Sequence, residues 1–527
     1  MVKVVSRTEA ASHIHDGDTV AMSGLGMSCF PEEVAIGIQE LAEAGKGPKG
    51  ITVVHAAGVG RRGDEEMGLN HLTQPGLAKR YICGFTSASK HFGDLVTHNK
   101  IECWCFPQGV LAELFRDIAA KRPGLITRVG LGTFVDPRVE GGRMNAITKG
   151  TPIELMKIHD EEYLFYPSFP INVGIIRGTY ADENGNVTLS QESVKTEVLP
   201  IAQAAHNCGG IVIAQVKEVV KAGTLDPNLV KVPGILVDYV VKTTDPKNHP
   251  QTENTLYNPA FSGQIKVPTD SLTPMELGPR KVVARRAAAE LVPDAIINLG
   301  VGIPVEIGGI AAEERVSDLV HMTTESGGIG GVPAGDKNFG HSYNVEASLD
   351  QQAQFDFYDG GGLDMTCLGM AETDRFGNVN VSKYNGLANG PGGFINIAQT
   401  AKRLVFAGTF TAGGYRAKVG DGRLEITQEG RVDKFVEQVE QITYAGQMAE
   451  HFGQHVVWVT ERAVLELRKG KVTVTEIAPG IDLEKDVLGH MAFKPEIADD
   501  LKIMDPGLFQ EHWGGLRAAM EANAKKA

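Results

Sequence analysis

The sequence predicts an α/β protein of two related domains with mostly parallel sheets, and three observations predict it. A strand, a glycine loop and a helix start occur near the N-terminus, around Ser23-Gly24-Leu25-Gly26, and again around Gly300-Val301-Gly302-Ile303-Pro304. The turn sequence Ala181-Asp182-Glu183-Asn184-Gly185-Asn186-Val187 returns in the same order as Thr373-Asp374-Arg375-Phe376-Gly377-Asn378-Val379. Two repeats in one order argue for related units over chance. The second pair lies closer together along the chain than the first, so the first half carries insertions. Third, residues 242–279 hold Asp245-Pro246, His249-Pro250, Asn258-Pro259, Val267-Pro268 and Thr273-Pro274, a proline-rich polar stretch with no period, which signals a linker. The expected domains are residues 1–275 and 276–527.

In chain order, residues 6–15 are expected helical with Ser6 as cap, Asp16-Gly17-Asp18 as a turn, and residues 19–22 as a short strand. Pro31 suits the first turn of a helix over 32–44, where its missing N–H costs nothing. The run 101–106 reads as a strand whose Cys103 and Cys105 are same-face small hydrophobes. Apolar strands follow both repeated turns, over 210–216 and 403–408. The second domain opens with a helix over 281–291, then a strand over 295–299, the glycine loop, a helix over 305–314 and a buried strand over 319–322. Strands over 456–460 and 472–475 and an amphipathic helix over 505–524 complete the chain.

At 527 residues the chain exceeds one ordinary core. Glycine is in excess, 63 residues or about 12% against a typical ~7%. It is clustered, which points to close approach of backbone and ligand. The net charge of −14 argues against a nucleic-acid binder, which needs a basic face. The six cysteines show no spacing for zinc, so no metal is expected. No run of 18 apolar residues and no signal sequence stands out, so neither a membrane span nor export is expected, and the cytoplasm is the default.

One carboxylate stands out. Glu325 follows the 319–322 strand and precedes Ser326-Gly327-Gly328-Ile329-Gly330-Gly331. It can be a solvated turn residue, or a reactive group at the strand end where ligands bind in parallel sheets. Further glycine-rich loops occur at Asp359-Gly360-Gly361-Gly362 and Asn389-Gly390-Pro391-Gly392-Gly393. The chain has no P-loop and no Gly-x-Ser-x-Gly, and neither glycine loop completes GxGxxG. What remains is a carboxylate able to attack an activated acyl group, with backbone N–H groups to hold the oxyanion.

These stretches, with Phe355-Asp-Phe-Tyr-Asp-Gly-Gly-Gly-Leu-Asp, Gly392-Gly-Phe-Ile-Asn-Ile, Lys221-Ala-Gly-Thr-Leu-Asp-Pro and Glu476-Ile-Ala-Pro-Gly-Ile-Asp, resemble the family I coenzyme A transferases, nearest to the propionate and acetate CoA-transferases. The resemblance runs from Asp16 into the tail. It implies two CoA-transferase domains and a ping-pong transfer of coenzyme A between short-chain acyl-CoAs and monocarboxylates such as acetate, propionate, butyrate or lactate. Glu325 is the implied nucleophile, passing through an acyl-glutamyl anhydride and a glutamyl-CoA thioester. Gly393 is the implied oxyanion donor, although it can be a plain turn glycine. Gln108 is implied to face the acyl site, although it can instead cap the following helix. Asn298, Gly300, Val301, Gly302, Ile303 and Pro304 are implied to line the CoA and acyl site, with Asn298 alternatively a strand-end polar residue. Coenzyme A is then substrate and no permanently bound cofactor is implied. The implied partners are small molecules and further copies of the chain, as a dimer or tetramer. The ketoacid-specific branch has Ser-Glu-Asn-Gly and Pro-Glu-Asn where this chain has Thr324-Glu325-Ser326-Gly327 and Pro31-Glu32-Glu33, which disfavours a 3-ketoacid substrate. A thioester hydrolase and a non-catalytic acyl-CoA-binding protein are the alternatives.

Overall fold

The computed structural model describes residues 2–63, 66–268 and 274–525. Its two large sheets draw on separate stretches of chain. In the first, the strands in sequence order are β1 (Lys3–Val5), β2 (Thr19–Met22), β3 (Ile51–His55), β4 (Ala78–Cys83), β5 (Glu102–Cys105), β6 (Val173–Asp182), β7 (Val187–Thr188), β8 (Ile211–Val220), β9 (Val230–Val232) and β10 (Tyr239–Lys242). Their spatial order is β1-β10-β8-β6-β2-β3-β4-β5, and every pair on this path is parallel. β7 runs antiparallel to β6 and to β9. The central strands β2 and β3 are largely apolar and rich in β-branched residues because both of their faces are buried.

The second sheet contains β11 (Ile296–Leu299), β12 (His321–Thr323), β13 (Gly328–Ile329), β14 (Ala347–Ser348), β15 (Met365–Leu368), β16 (Arg403–Ala407), β17 (His455–Val459), β18 (Ala463–Arg468), β19 (Lys471–Ile477) and β20 (Glu496–Ile503). They lie in the order β14-β13-β12-β11-β15-β16-β17-β18-β19-β20. The five strands from β12 to β17 in this order are parallel; β18 is antiparallel to both neighbours, and β20 is parallel to β19.

The path β3-β2-β6-β8-β10 in one sheet has the same chain order as β12-β11-β15-β16-β17 in the other. The repeated turns match atom for atom. Asp182 accepts from the Asn184 and Asn186 backbone N–H groups and from Asn186 Nδ2, each at 3.0 Å. Asp374 accepts from Phe376 N at 3.0 Å, Asn378 N at 3.1 Å and Asn378 Nδ2 at 3.0 Å. The domains are related, and the first is enlarged between β3 and β6. There it adds β4, β5 and a separate antiparallel sheet of Gly124–Thr127, Glu154–Ile158 and Glu161–Pro167.

Helices fall close to their expected places, with local differences. α1 (Arg7–Ala11) is shorter than expected, with the Ser6 hydroxyl accepting from Glu9 N at 3.2 Å. α2 (Glu32–Glu43) starts after Pro31, which is its cap residue. α3 (Gln108–Ala119), α4 (Pro279–Ala288) and α5 (Glu306–Glu313) precede α6 (Phe394–Thr400). The expected last helix over 505–524 divides into a short turn, Pro506–Phe509, and α7 (Leu516–Ala524). Trp513 folds back to donate Nε1–H to Asp505 at 2.9 Å, and Gly514 takes φ +65°, which no helix accommodates. No helix among the described residues is long and apolar enough to cross a membrane.

The proline-rich stretch is not an exposed tether along its length. Gln251, Thr252 and Glu253 are buried. Thr273 lies outside the described residues. A fully buried arginine explains the packing. Arg177 on β6 forms a two-point ion pair with Glu192, Nη2 to Oε2 at 2.7 Å and Nε to Oε1 at 3.2 Å. It also donates to the carbonyls of Met27 at 2.9 Å, Phe30 at 3.1 Å and Pro250 at 2.9 Å. One guanidinium thus pins the first glycine loop and the proline-rich stretch to the same strand. Burial is the largest single influence on Glu192 and would raise its pKa, but the charges of Arg177 and His249 and their hydrogen bonds together outweigh it and hold that carboxyl well below the usual range.

The second domain is stitched to the first by main chain. Thr86 N donates to Asn389 O at 2.8 Å, Gly392 N to Gly84 O at 2.7 Å and Gln108 N to Gly392 O at 3.0 Å. Gly109 N donates to Asn396 Oδ1 at 3.1 Å, and Gly130 N to Gln399 Oε1 at 2.7 Å. The Asn389–Gly392 loop is therefore held in place by the other domain.

Candidate active site

Glu325 stands at the tip of a hairpin. β12 ends at Thr323, and β13 returns antiparallel with Ile329 opposite Thr323. Thr324 N donates to Gly328 O at 2.9 Å, Gly327 N to Thr324 O at 3.0 Å, and Gly328 N to Thr324 Oγ1 at 3.1 Å. Gly327 has φ +107°, and a Cβ there would lie 2.1 Å from Leu349 O, so the turn needs glycine at this position. The hairpin closes on both sides of Glu325 and leaves its side chain pointing into a cavity of about 290 Å³ between the domains.

Both glycine loops reach this cavity. Leu25 and Gly26 line it from the first domain, Gly300 and Val301 from the second. Gln108 and Gly393 line it too, as do Ala57 and Gly58 beyond the end of β3. Much of the wall is apolar, from Phe85, Phe339, Leu368, Val381 and Ile397. Among the described residues no hydrogen bond reaches the Glu325 carboxylate. Burial therefore dominates its ionisation and raises the pKa to about 7, against the opposing charge of Arg62.

Gly393 sits at the N-terminus of α6 with ordinary helical dihedrals, φ −78° and ψ −4°. Space beside it is tight. A Cβ at this position would lie 3.5 Å from Glu325 Cδ and 3.3 Å from both Ile397 Cδ1 and Phe355 Cζ. Gln108 begins α3, but its side chain caps nothing. Its Nε2 is buried without a hydrogen-bond partner, an unusual state for an amide unless a ligand completes it.

The remaining expected residues lie off the cavity wall. Asn298 is buried behind it, donating Nδ2–H to Tyr358 OH at 3.3 Å. Tyr358 OH also shares a 2.6 Å hydrogen bond with Thr323 Oγ1. This places Asn298 in a polar network under the strand that leads to Glu325. Burial pushes the Tyr358 phenol up to about 12, so it stays protonated and available as a donor. Gly302, Ile303 and Pro304 continue toward α5 without touching the cavity, and Ile303 joins the second core.

Two charged residues on the wall escaped sequence reasoning. Arg62 follows Gly60-Arg61 in a charged loop, and Glu253 lies in the proline-rich stretch. Arg62 N donates to Glu253 Oε2 at 3.3 Å, and Arg62 Nε stands 3.5 Å from Glu253 Oε1. No local pattern marks either residue; the Arg177 anchor, with the Ser28 hydroxyl donating to Gln251 O at 2.5 Å, brings residue 250 and its neighbours to the first glycine loop. A group of three buried cysteines, Cys83, Cys103 and Cys105, lies within reach of one another on β4 and β5, consistent with the expected same-face packing.

Comparison with known proteins gives a consistent picture. The family model described as Coenzyme A transferase matches residues 4–243. A caffeate CoA-transferase from Acetobacterium woodii is 48% identical over 99% of this chain and 100% of its own. The acetate CoA-transferase YdiF of Escherichia coli K12 is 42% identical over 96% of this chain and 95% of its own. The crystal structure of the acyl-CoA transferase YdiF from Escherichia coli O157:H7, described as a thioester complex with CoA, superposes with a TM-score of 0.91 at 40% identity. It covers 98% of this chain and 97% of the other.

Proposed function

Since the chain belongs to the coenzyme A transferase family and is an enzyme of that type, we propose that it exchanges coenzyme A between short-chain acyl-CoAs and free monocarboxylates through a covalent intermediate on Glu325. The observation that carries this reading is the placement of one unpaired carboxylate, Glu325, in an interdomain cavity beside Gly393 and Gln108. The relative solved as a thioester with CoA supports it.

In the first step Glu325 attacks the thioester carbonyl, with the Gly393 N–H and Gln108 Nε2 as donors to the developing oxyanion. CoA thiolate leaves, and an acyl-glutamyl anhydride forms. The thiolate then attacks the glutamyl carbonyl, the free acid departs, and glutamyl-CoA remains. A second carboxylate reverses the sequence. The bond energy of the thioester is kept throughout. The apolar wall serves to exclude water, which would hydrolyse the anhydride.

The cavity volume lies at the low end for ligand sites, about 300–1,000 Å³, which favours small acyl groups such as acetyl and propionyl. A second reading has its own support. Phe85, Phe339, Tyr384 and Phe394 give the cavity an aromatic lining, and the 48% identical relative is named for caffeate. An aryl-substituted acid is thus the rival acceptor. A panel of acids offered to one acyl-CoA donor separates the two by kcat/KM.

The steady-state test is direct. Initial rates at several fixed concentrations of the second substrate should give parallel double-reciprocal lines, because one product leaves before the second substrate reacts. Intersecting lines would remove the covalent intermediate. The pH dependence has a definite sign. A carboxyl with its pKa raised to about 7 is neutral, hence non-nucleophilic, below that value. The kcat/KM for acyl-CoA should therefore rise about tenfold per pH unit below about 7 and level off above it. A flat profile from pH 5 to 8 would mean that Glu325 is not the titrating nucleophile.

A further inference from the structure

The proposed chemistry sets an electrostatic problem. A free carboxylate must enter a largely apolar cavity in which Glu325 is by then an uncharged thioester and Glu253 keeps its carboxyl group. Burying an uncompensated charge is costly, so an acid can bind there only against a cation. Among the described residues lining the cavity, Arg62 is the one cationic side chain. Resting on the proposed role of Glu325, we propose that Arg62 binds the carboxylate of the acceptor acid and presents it to the Glu325 thioester, with Glu253 holding the guanidinium over the empty cavity.

The geometry supplies each part. Glu253 is a fixed anchor: it is buried, accepts from Arg62 N, and packs against Gly26, where a Cβ would lie 3.2 Å from Glu253 Cγ and Oε1. Arg62 is the movable partner, its side chain 45% exposed and its Nε a loose 3.5 Å from Glu253 Oε1. No described residue accepts a hydrogen bond from Arg62 Nη1 or Nη2. That edge of the guanidinium is the planar fork that matches a carboxylate at two points. Arg62 and Glu325 line the same cavity, so a carboxylate held by Arg62 lies in the cavity that contains the carbon it must attack. Burial raises the Glu253 pKa, and the charges of Arg62, Lys337 and Arg61 oppose that rise.

In the step concerned, a carboxylate oxygen of the acid attacks the γ-carbonyl carbon of Glu325. The C–S bond breaks, CoA thiolate leaves with the electron pair, and the anhydride forms. Arg62 neutralises the attacking group before the reaction and its counterpart, the released acid, in the opposite direction.

The test uses the enzyme–CoA thioester itself. Wild-type and Arg62→Ala proteins are incubated with acyl-CoA, freed of small molecules, and mixed with acetate or with hydroxylamine, a neutral nucleophile that needs no counterion. For acetate, the second-order constant should fall roughly 30-fold or more in Arg62→Ala, as expected for loss of a charge-assisted pair. The hydroxylamine constant should stay within about twofold, and Arg62→Lys should lie between Ala and wild type with acetate. Unchanged reactivity with acetate would overturn the proposal. An equal fall with both nucleophiles would overturn it too, showing a structural role. Slower loading by acyl-CoA with a normal acetate step would reassign Arg62 to coenzyme A, which also overturns it. Failure of the underlying reading looks different: the wild-type protein would then form no thioester to test.

Discussion

Glu325→Gln protein, folded and incubated with acyl-CoA alone, is expected to carry no CoA, whereas the wild-type protein accumulates one. Once the free acid has left, glutamyl-CoA has no partner to attack it, so the adduct persists until an acceptor arrives. Mass spectrometry of the peptide containing Glu325 should show the added CoA in the wild type. Borohydride should reduce the thioester to an alcohol and inactivate the enzyme. Loss of the nucleophile should lower turnover by roughly three to six orders of magnitude. Glu325→Asp keeps the charge but withdraws the carboxylate by roughly 1.5 Å, one bond length. An error of ~1 Å in attack geometry costs about a hundredfold. Because the hairpin around Glu325 is fixed by Gly327 and by hydrogen bonds on both sides, the backbone cannot follow to restore the reach. An adduct on another residue, or acyl exchange surviving in Glu325→Gln, would refute the assignment.

Gly393→Val is expected to lose turnover by about a hundred- to a thousandfold, the range for disabling an oxyanion donor, while the protein stays folded. Valine tolerates the dihedrals found there, φ −78° and ψ −4°, so the backbone is not the obstacle. The obstacle is the side chain. A Cβ already stands 3.5 Å from Glu325 Cδ, and the two methyl groups beyond it enter the space between the carboxylate and the donor N–H. Gly393→Ala should fall between valine and wild type. Circular dichroism and the melting temperature distinguish this from unfolding. A folded Gly393→Val protein with near-normal rates would take Gly393 out of the mechanism.

The sequence carried the parts of the site whose chemistry leaves a local mark. Glu325 is visible because glycines crowd its turn, and Gly327 and Gly331 explain why: at both, a side chain would strike a backbone carbonyl, Leu349 O or Tyr343 O. The strand–loop–helix repeats were legible for the same reason, since buried parallel strands are continuous apolar runs. Arg62 and Glu253 leave no such mark. Their meeting depends on contacts such as those of Arg177, which binds carbonyls of residues 27, 30 and 250 at once, and of Ser28, which donates to Gln251 O, and no periodicity encodes contacts over that separation. The proline pairs around residue 250 read as a linker, but proline content says nothing of burial, and Gln251, Thr252 and Glu253 are buried. Asn298 and the Gly302–Pro304 stretch show the converse limit. A motif can border a site in sequence while the strand end turns its side chains into the core.

The correspondence between the two sheets has a consequence for how many reactions one polypeptide can run. β3 and β12 occupy equivalent places, and the second residue beyond each is Ala57 in one half and Glu325 in the other. Folding brings both to the same cavity. Where one half offers a reactive oxygen, its twin offers a methyl group and, with Gly58, vacant volume. A carboxylate at both places would face its like across an apolar gap, and neither would ionise easily. On the proposed role of Glu325, the two halves have thus divided the labour, one as reagent and one as mould. Loading with coenzyme A is then expected to saturate at one equivalent per chain.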